Sequence, residues 1–178
     1  FAFGVGGLVS GKVDFMTHQG FGPEGFIEVN ADATYGPVGG ASFAVRDNLF
    51  AGAGIKMLKR QSLVHNFTSR ELVEKQDVLD DYIEDVLLKK GSAVGLDAGV
   101  IWNFSPESWW RPSIGVSLLN IGDLDFKGAG TIPMTVNTGL AVNPRIPMFR
   151  SLVMAIDYID VLNGYSQDAD MVKRLRMG

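Results

Sequence analysis

From Phe26 to Tyr158 the chain breaks into short segments in which apolar residues take every second place and glycines or polar residues take the others. Successive side chains of a strand point to opposite faces, so a period of two is the mark of β structure. In the segment 26–35, Ile27, Val29, Ala31, Ala33 and Tyr35 share one face, while Glu28, Asn30, Asp32 and Thr34 share the other. The segment 92–104 repeats the pattern with Val94, Leu96, Ala98, Val100, Trp102 and Phe104 against Gly95, Asp97, Gly99 and Asn103. One wall meets an oily medium, and the other meets water or a lumen of small residues. Long segments of this kind predict an all-β protein, an antiparallel transmembrane β-barrel or part of one.

Strands are expected at residues 1–16, 26–36, 40–47, 49–64, 92–104, 113–121, 132–142 and 151–160, with a further one starting near 171. Tight and long connections roughly alternate: Arg46-Asp47-Asn48 is tight, 66–91 is long, 105–112 moderate, 122–131 glycine-rich, and 143–150 carries Pro144 and Pro147. A barrel with short turns on the periplasmic side and long loops outside has that order. The insertion, Gly122 to Thr131 and Leu162 to Asp170 are then expected together on the outer side.

A helix is expected within the insertion at 66–90. Thr68-Ser69-Arg70-Glu71 reads as a capping box, acidic residues fill the early turns, and Lys89-Lys90-Gly91 supplies cations and a stop. Leu72, Leu79, Ile83, Val86 and Leu87 form its apolar face; Glu74, Asp77, Asp80, Asp81, Glu84 and Asp85 form the other. A helix of that length spans ~30 Å at ~1.5 Å per residue, enough to lie over a barrel mouth. It serves as a lid on its own barrel or, through Glu74, Asp77, Asp81 and Glu84, as a partner-binding surface.

The 178 residues are 46% hydrophobic and 20% charged, which a soluble domain also shows, but 22 glycines are many for a packed sheet and suit a barrel wall. A net charge of −4 with no basic stripe argues against a nucleic-acid partner. The absence of cysteine fits an exported barrel or a reducing compartment. No apolar run reaches the ~18 residues of a membrane helix, so a bilayer would be crossed by strands. The start at Phe1-Ala2-Phe3-Gly4 and the mixed apolar and basic stretch Lys173–Gly178 read as pieces of a longer barrel, giving one incomplete barrel domain over 1–178 with the insertion at 66–90.

Candidate chemistry is sparse. His18 and His65 each lack a companion ligand, so no metal site is expected, and no nucleophile elbow, phosphate loop or Cys/His pair implies an enzyme or a cofactor. Gly4-Val5-Gly6-Gly7 and Gly52-Ala53-Gly54 read as strand glycines. Glu28, Asp32, Lys56, Asp97, Asn103 and Asp157 fall on non-lipid faces and are the candidate lumen lining, with Lys56 or an arginine as the natural partner of a carboxylate. Trp102, Trp109 and Trp110 form a candidate interface girdle, because an indole is apolar in its ring and polar at its N–H.

Four stretches carry a resemblance: Asn48-Leu49-Phe50-Ala51-Gly52-Ala53-Gly54-Ile55-Lys56-Met57-Leu58, Gly91-Ser92-Ala93-Val94-Gly95-Leu96-Asp97-Ala98-Gly99-Val100, Pro112 to Gly122, and Ile132-Pro133-Met134-Thr135 with Gly139-Leu140-Ala141. Over about residues 40 to 178 the chain resembles bacterial outer-membrane barrels of the long-chain fatty-acid transporter superfamily, nearest to the conjugal-transfer TraF-like barrels and the shuttle barrels of type IX secretion. Members of that superfamily begin with a small-residue plug bearing an Asn-Pro-Ala motif, which this chain lacks, and continue for several strands past a stretch like Arg174–Gly178. The resemblance therefore implies architecture and an outer-membrane location rather than transport itself.

Three functions follow as expectations. The first is uptake or capture of small hydrophobic molecules by a barrel in the lipid bilayer. The second is a non-transporting anchor whose outer loops hold a secreted or surface protein. The third is a soluble secreted β-sandwich, whose strands also alternate but run to ~5 or 6 residues, shorter than 49–64 and 92–104.

Overall fold

In a computed structural model, which describes residues 1–18, 25–74, 82–146, 152–162 and 175–177, the chain is 71% strand and no helix among the described residues reaches seven residues. Eight strands form one antiparallel sheet that curls into a half-barrel. They are β1 (Ala2–His18), β2 (Phe26–Arg46), β3 (Leu49–Thr68), β4 (Lys89–Asn103), β5 (Pro112–Leu119), β8 (Thr135–Val142), β9 (Met154–Tyr158) and β10 (Leu175–Met177), in the order β1-β2-β3-β4-β5-β8-β9-β10. The missing numbers, β6 (Leu124–Asp125) and β7 (Thr131–Ile132), pair with each other in a small hairpin within the β5–β8 connection. Each strand of the large sheet lies beside its predecessor, so the connections over 47–48, 104–111 and 143–153 lie at one end. The chain leaves and rejoins the sheet around 69–88 and 120–134 at the other.

The register keeps the alternation in phase across the ladders, apart from a one-residue shift between Ala44 and Arg46 beside the β2–β3 turn. Ala41 faces Ala53, Ile55 faces Leu96, Val100 faces Val116, Ile114 faces Leu140, and Leu140 faces Ile156, all on the convex side. On the concave side glycine repeatedly stands opposite glycine: Gly4 and Gly40, Gly40 and Gly54, Gly52 and Gly99, Gly115 and Gly139. A one-residue slip in any ladder would exchange the two sets, so the strong contrast between them fixes the register.

The structure corrects several expected boundaries. Segments 26–36 and 40–47 are one strand of 21 residues. Pro37 has no N–H for a ladder, yet it does not end the strand. The β2–β3 ladder omits Gly36 and Pro37 and resumes in unchanged register, Tyr35 with Lys59 and Val38 with Lys56. Gly36 is needed there because a Cβ would collide with the Met57 carbonyl.

The helical insertion is also shorter than 66–90. Residues 66–68 continue β3 and Lys89 and Lys90 begin β4, so those lysines are strand residues and not a helix terminus. Between them stand the helix α1 (Ser69–Glu74) and a π-helical turn at Ile83–Leu87. Asp77, Asp80 and Asp81 of the expected acidic face lie outside the described residues. The cap is as the sequence implies, since the Glu71 N–H donates to Thr68 Oγ1 at 3.2 Å. The Glu71 carboxylate lies 3.2 Å from His65 Nε2 and ties α1 to β3.

Burial divides along the same lines. The compact apolar cluster of Leu58, Leu124, Phe126 and Ala129 lies between the concave face and the β5–β8 connection. On the convex face, Val94 (62% exposed), Leu96 (52%), Ile55, Met57, Val116 and Ile156 have no covering.

Candidate functional site

The concave wall collects the chain's inward charges into pairs, because strand register sets their partners opposite one another. Lys56 on β3 is diagonal to Asp97 on β4, and its Nζ donates to both carboxylate oxygens at 2.8 and 3.0 Å. Both side chains are largely shielded, at 11% and 29% exposure. One partner without the other would leave a shielded charge uncompensated, which costs ~3–5 kcal/mol in buried pairs. Further along the same face Arg60 Nη2 donates to Asp32 Oδ1 at 2.8 Å, and the Arg60 guanidinium stands 6.0 Å from the Phe126 ring centroid.

Asp97 accepts a third hydrogen bond. The Asn120 N–H donates to Asp97 Oδ1 at 2.8 Å, while Asn120 Nδ2 donates to the Pro133 carbonyl at 3.1 Å. Asn120 (φ 56°) and Gly122 (φ 84°) have left-handed backbone at the point where the chain leaves β5. That conformation favours asparagine and glycine and lets the chain reverse at once. The connection, at the same sheet end as the insertion, then folds into the concavity. Phe126 and Leu124 are 0% and 1% exposed beneath it.

The wall is carved to receive this loop. A Cβ at Gly95 would stand 2.6 Å from Leu124 Cδ2 and 2.9 Å from Lys56 Cε, and one at Gly91 would collide with the Phe126 carbonyl. Any larger residue at either position forces the loop or the strand to move.

Beyond Asp97 the concave face is open. A trough of about 1090 Å³ runs across the sheet, floored by the facing glycines and walled in part by Phe50 and Ile101. Asp97, Asn137, Asp157 and Arg176 are its main polar groups. Arg176 on β10 is directly opposite Asp157 on β9, and Gly139 leaves room for the Asp157 carboxylate.

The sequence-derived candidates are therefore spread over three places. Lys56, Asp97, Asp32 and Asp157 share the concave wall, with Asn103 at the end of β4 opposite Ser113. Glu28 is at the far end of the same face, 3.4 Å from His18 Nε2 and hydrogen-bonded by Asn30 Nδ2 at 3.0 Å. Trp102 is on the convex side, in ring contact with Phe104 at 5.7 Å, and Trp109 and Trp110 are exposed on the 104–111 connection. Glu74 is exposed and accepts from Arg70 Nε at 2.6 Å, Glu84 belongs to the π-helical turn, and Asp77 and Asp81 lie outside the described residues.

Sequence reasoning missed Asn120, Arg60, Leu124, Phe126 and Arg176. The signal for the loop was present in Leu124-Asp125-Phe126, two apolar residues in alternation inside a glycine-rich connection. Three or more acidic or histidine groups placed to hold a metal do not occur among the described residues. No protein-family model, curated protein or solved structure matches the chain.

Proposed function

We propose that the chain is wall of an outer-membrane β-barrel that captures small hydrophobic molecules on its concave side. The observation that carries the membrane reading is the inversion of the sheet: bare, contiguous apolar side chains on the convex face and glycines with paired charges on the concave one. An exposed apolar patch this continuous is unstable in water and marks a surface made for another medium. Along β4 the apolar positions from Val94 to Phe104 span ~33 Å at ~3.3 Å per residue, or ~25 Å in height at the ~40° tilt of barrel strands, the height of a hydrocarbon band. Lys59, Ser92 and Lys90 follow on the same face and would meet headgroups.

Capture is supported by the trough, whose floor of glycines leaves room for a ligand and whose walls are mostly apolar. The test is native mass spectrometry of the full-length protein after exposure to a panel of alkyl and aromatic compounds. Retained ligand in the parent, lost in Gly115→Phe, is the expected result; Gly115 has only ordinary contacts around its Cβ position, so the change fills the trough without a clash. No retained compound in the parent would exclude capture.

A second reading, a non-transporting scaffold, is favoured by one feature. The insertion stays packed on the protruding end of β3 through His65, Glu71 and Tyr82, a firm base for a docking loop. Affinity isolation from gently solubilised membranes that returns no stoichiometric protein, with or without residues 69–88, would exclude it.

A further inference from the structure

We propose that the connection 120–134 is a gate that closes the concave channel, and that Asp97 is the latch that holds it shut. The gate rests on the barrel reading above, whereas the latch is a property of this chain in any environment.

The loop has its own closed form: β6 pairs with β7, the Phe126 N–H donates to Gly130 O at 2.9 Å, and the Met134 N–H donates to Asp123 Oδ1 at 2.7 Å. It is thus a preformed unit that can move whole. Its side-chain seating on the wall is small, Leu124, Phe126 and Ala129 against Leu58, Val38 and Ala93. Its polar seating is the Ile121 N–H on the Leu96 carbonyl at 2.8 Å and the Asp97 carboxylate. Asp97 accepts from the Asn120 backbone, and Asn120 in turn donates to Pro133 O, so one wall carboxylate holds both the outgoing and the returning strand of the loop. Lys56 neutralises that carboxylate from the neighbouring strand and is itself covered by Leu124 near Gly95. Loss of the Asp97 carboxylate therefore removes the side-chain acceptor of the loop neck, though the Ile121–Leu96 backbone bond remains, and leaves Lys56 an unpaired charge under the plug; both effects push the loop outward. The seated loop occupies the concavity over Leu58 and Ala93 while the trough beyond Asp97 is open, so its position decides whether the two ends of the wall communicate.

The chain has no cysteine, so single thiols report the gate directly. In the full-length protein, Ala129→Cys places a thiol at a position 2% exposed, and Gly128→Cys places one at an exposed neighbour with nothing around its Cβ. A charged maleimide is expected to label Ala129→Cys at least tenfold more slowly than Gly128→Cys. In the Asp97→Ala background the two rates are expected to converge, with Asp97→Asn intermediate because its amide oxygen still accepts from Asn120. Asp14→Asn, which removes a concave carboxylate far along β1, is expected to leave Ala129→Cys protected and serves to separate latch loss from general loosening.

Equal labelling of the two thiols in the parent, or continued protection in a folded Asp97→Ala protein, would overturn the proposal. Exposure of Ala129→Cys by Asp14→Asn as well would also overturn the specific role of Asp97. If Asp97→Ala does not fold, Asn120→Ala, which keeps the Lys56–Asp97 pair and frees the returning strand, is expected to raise Ala129→Cys labelling by several fold, and no increase there would overturn it. None of these readings needs a membrane, so they stand or fall apart from the barrel assignment.

Discussion

The β2–β3 hairpin is built from the same two strands in one register from Phe26 to Ala44, yet its convex face is treated oppositely at the two ends. Near the 47–48 turn, Phe43, Ile55 and Met57 are bare. Past the pair Tyr35 and Lys59, residues of the same face become core: Leu63 is 8% exposed and Phe67 5%, and His65 makes edge contacts with Phe67 and Tyr82. The chain thus spends an inserted segment on covering the far end and leaves the near end open. A convex face awaiting a protein cover would have no reason for that division. A sheet that stands in hydrocarbon below Lys59 and projects into water above it has one, since only the projecting part must hide its apolar residues.

The largest effect that would break this comparison is expected at the covered end. Phe67→Ala removes a buried ring and should cost ~3–5 kcal/mol in urea unfolding of the full-length protein in liposomes. A loss under ~1 kcal/mol would mean that the insertion does not seal that face. At the bare end the sign of the surroundings is read by charge. Leu96→Arg, on the convex side of β4, should cost ~2–4 kcal/mol in the same assay, while Ser92→Arg, just past the apolar band beside Lys59, should cost ~0–1 kcal/mol. Equal costs at the two positions would remove the band. The smallest effect sharpens the upper end: Thr68→Ala deletes the cap of α1 and should cost ~1 kcal/mol, visible also as faster proteolysis of the insertion.

Much of the sheet was legible because a period of two survives any error in strand ends. Ile55 and Met57 outward with Lys56 inward, or Leu96 outward with Asp97 inward, follow from parity alone, and the Lys56–Asp97 pair follows once β3 and β4 are neighbours. What parity does not contain is where a connection goes. Leu124 and Phe126 read as residues of a glycine-rich outer loop, because nothing local says that Gly91 and Gly95, thirty residues earlier, leave a seat for them. Pro37 failed as a punctuation mark for a related reason: its ladder to β3 is interrupted at that point while its neighbours on both sides stay paired. The insertion was overextended at its ends since Lys89 and Lys90 suit a helix terminus and a strand start equally, and only pairing with Gln61 and Ser62 distinguishes the two.

The most direct measurement is the accessibility of nitroxide labels on the full-length protein in liposomes, at convex Leu96, Val100 and Val116 and at concave Ser117 and Ser113. A lipid-facing belt predicts high collision with oxygen and little with a water-soluble nickel chelate at the three convex sites, and the reverse order at the two serines. Nickel access at the convex sites equal to that of the serines would contradict a sheet that stands in a bilayer.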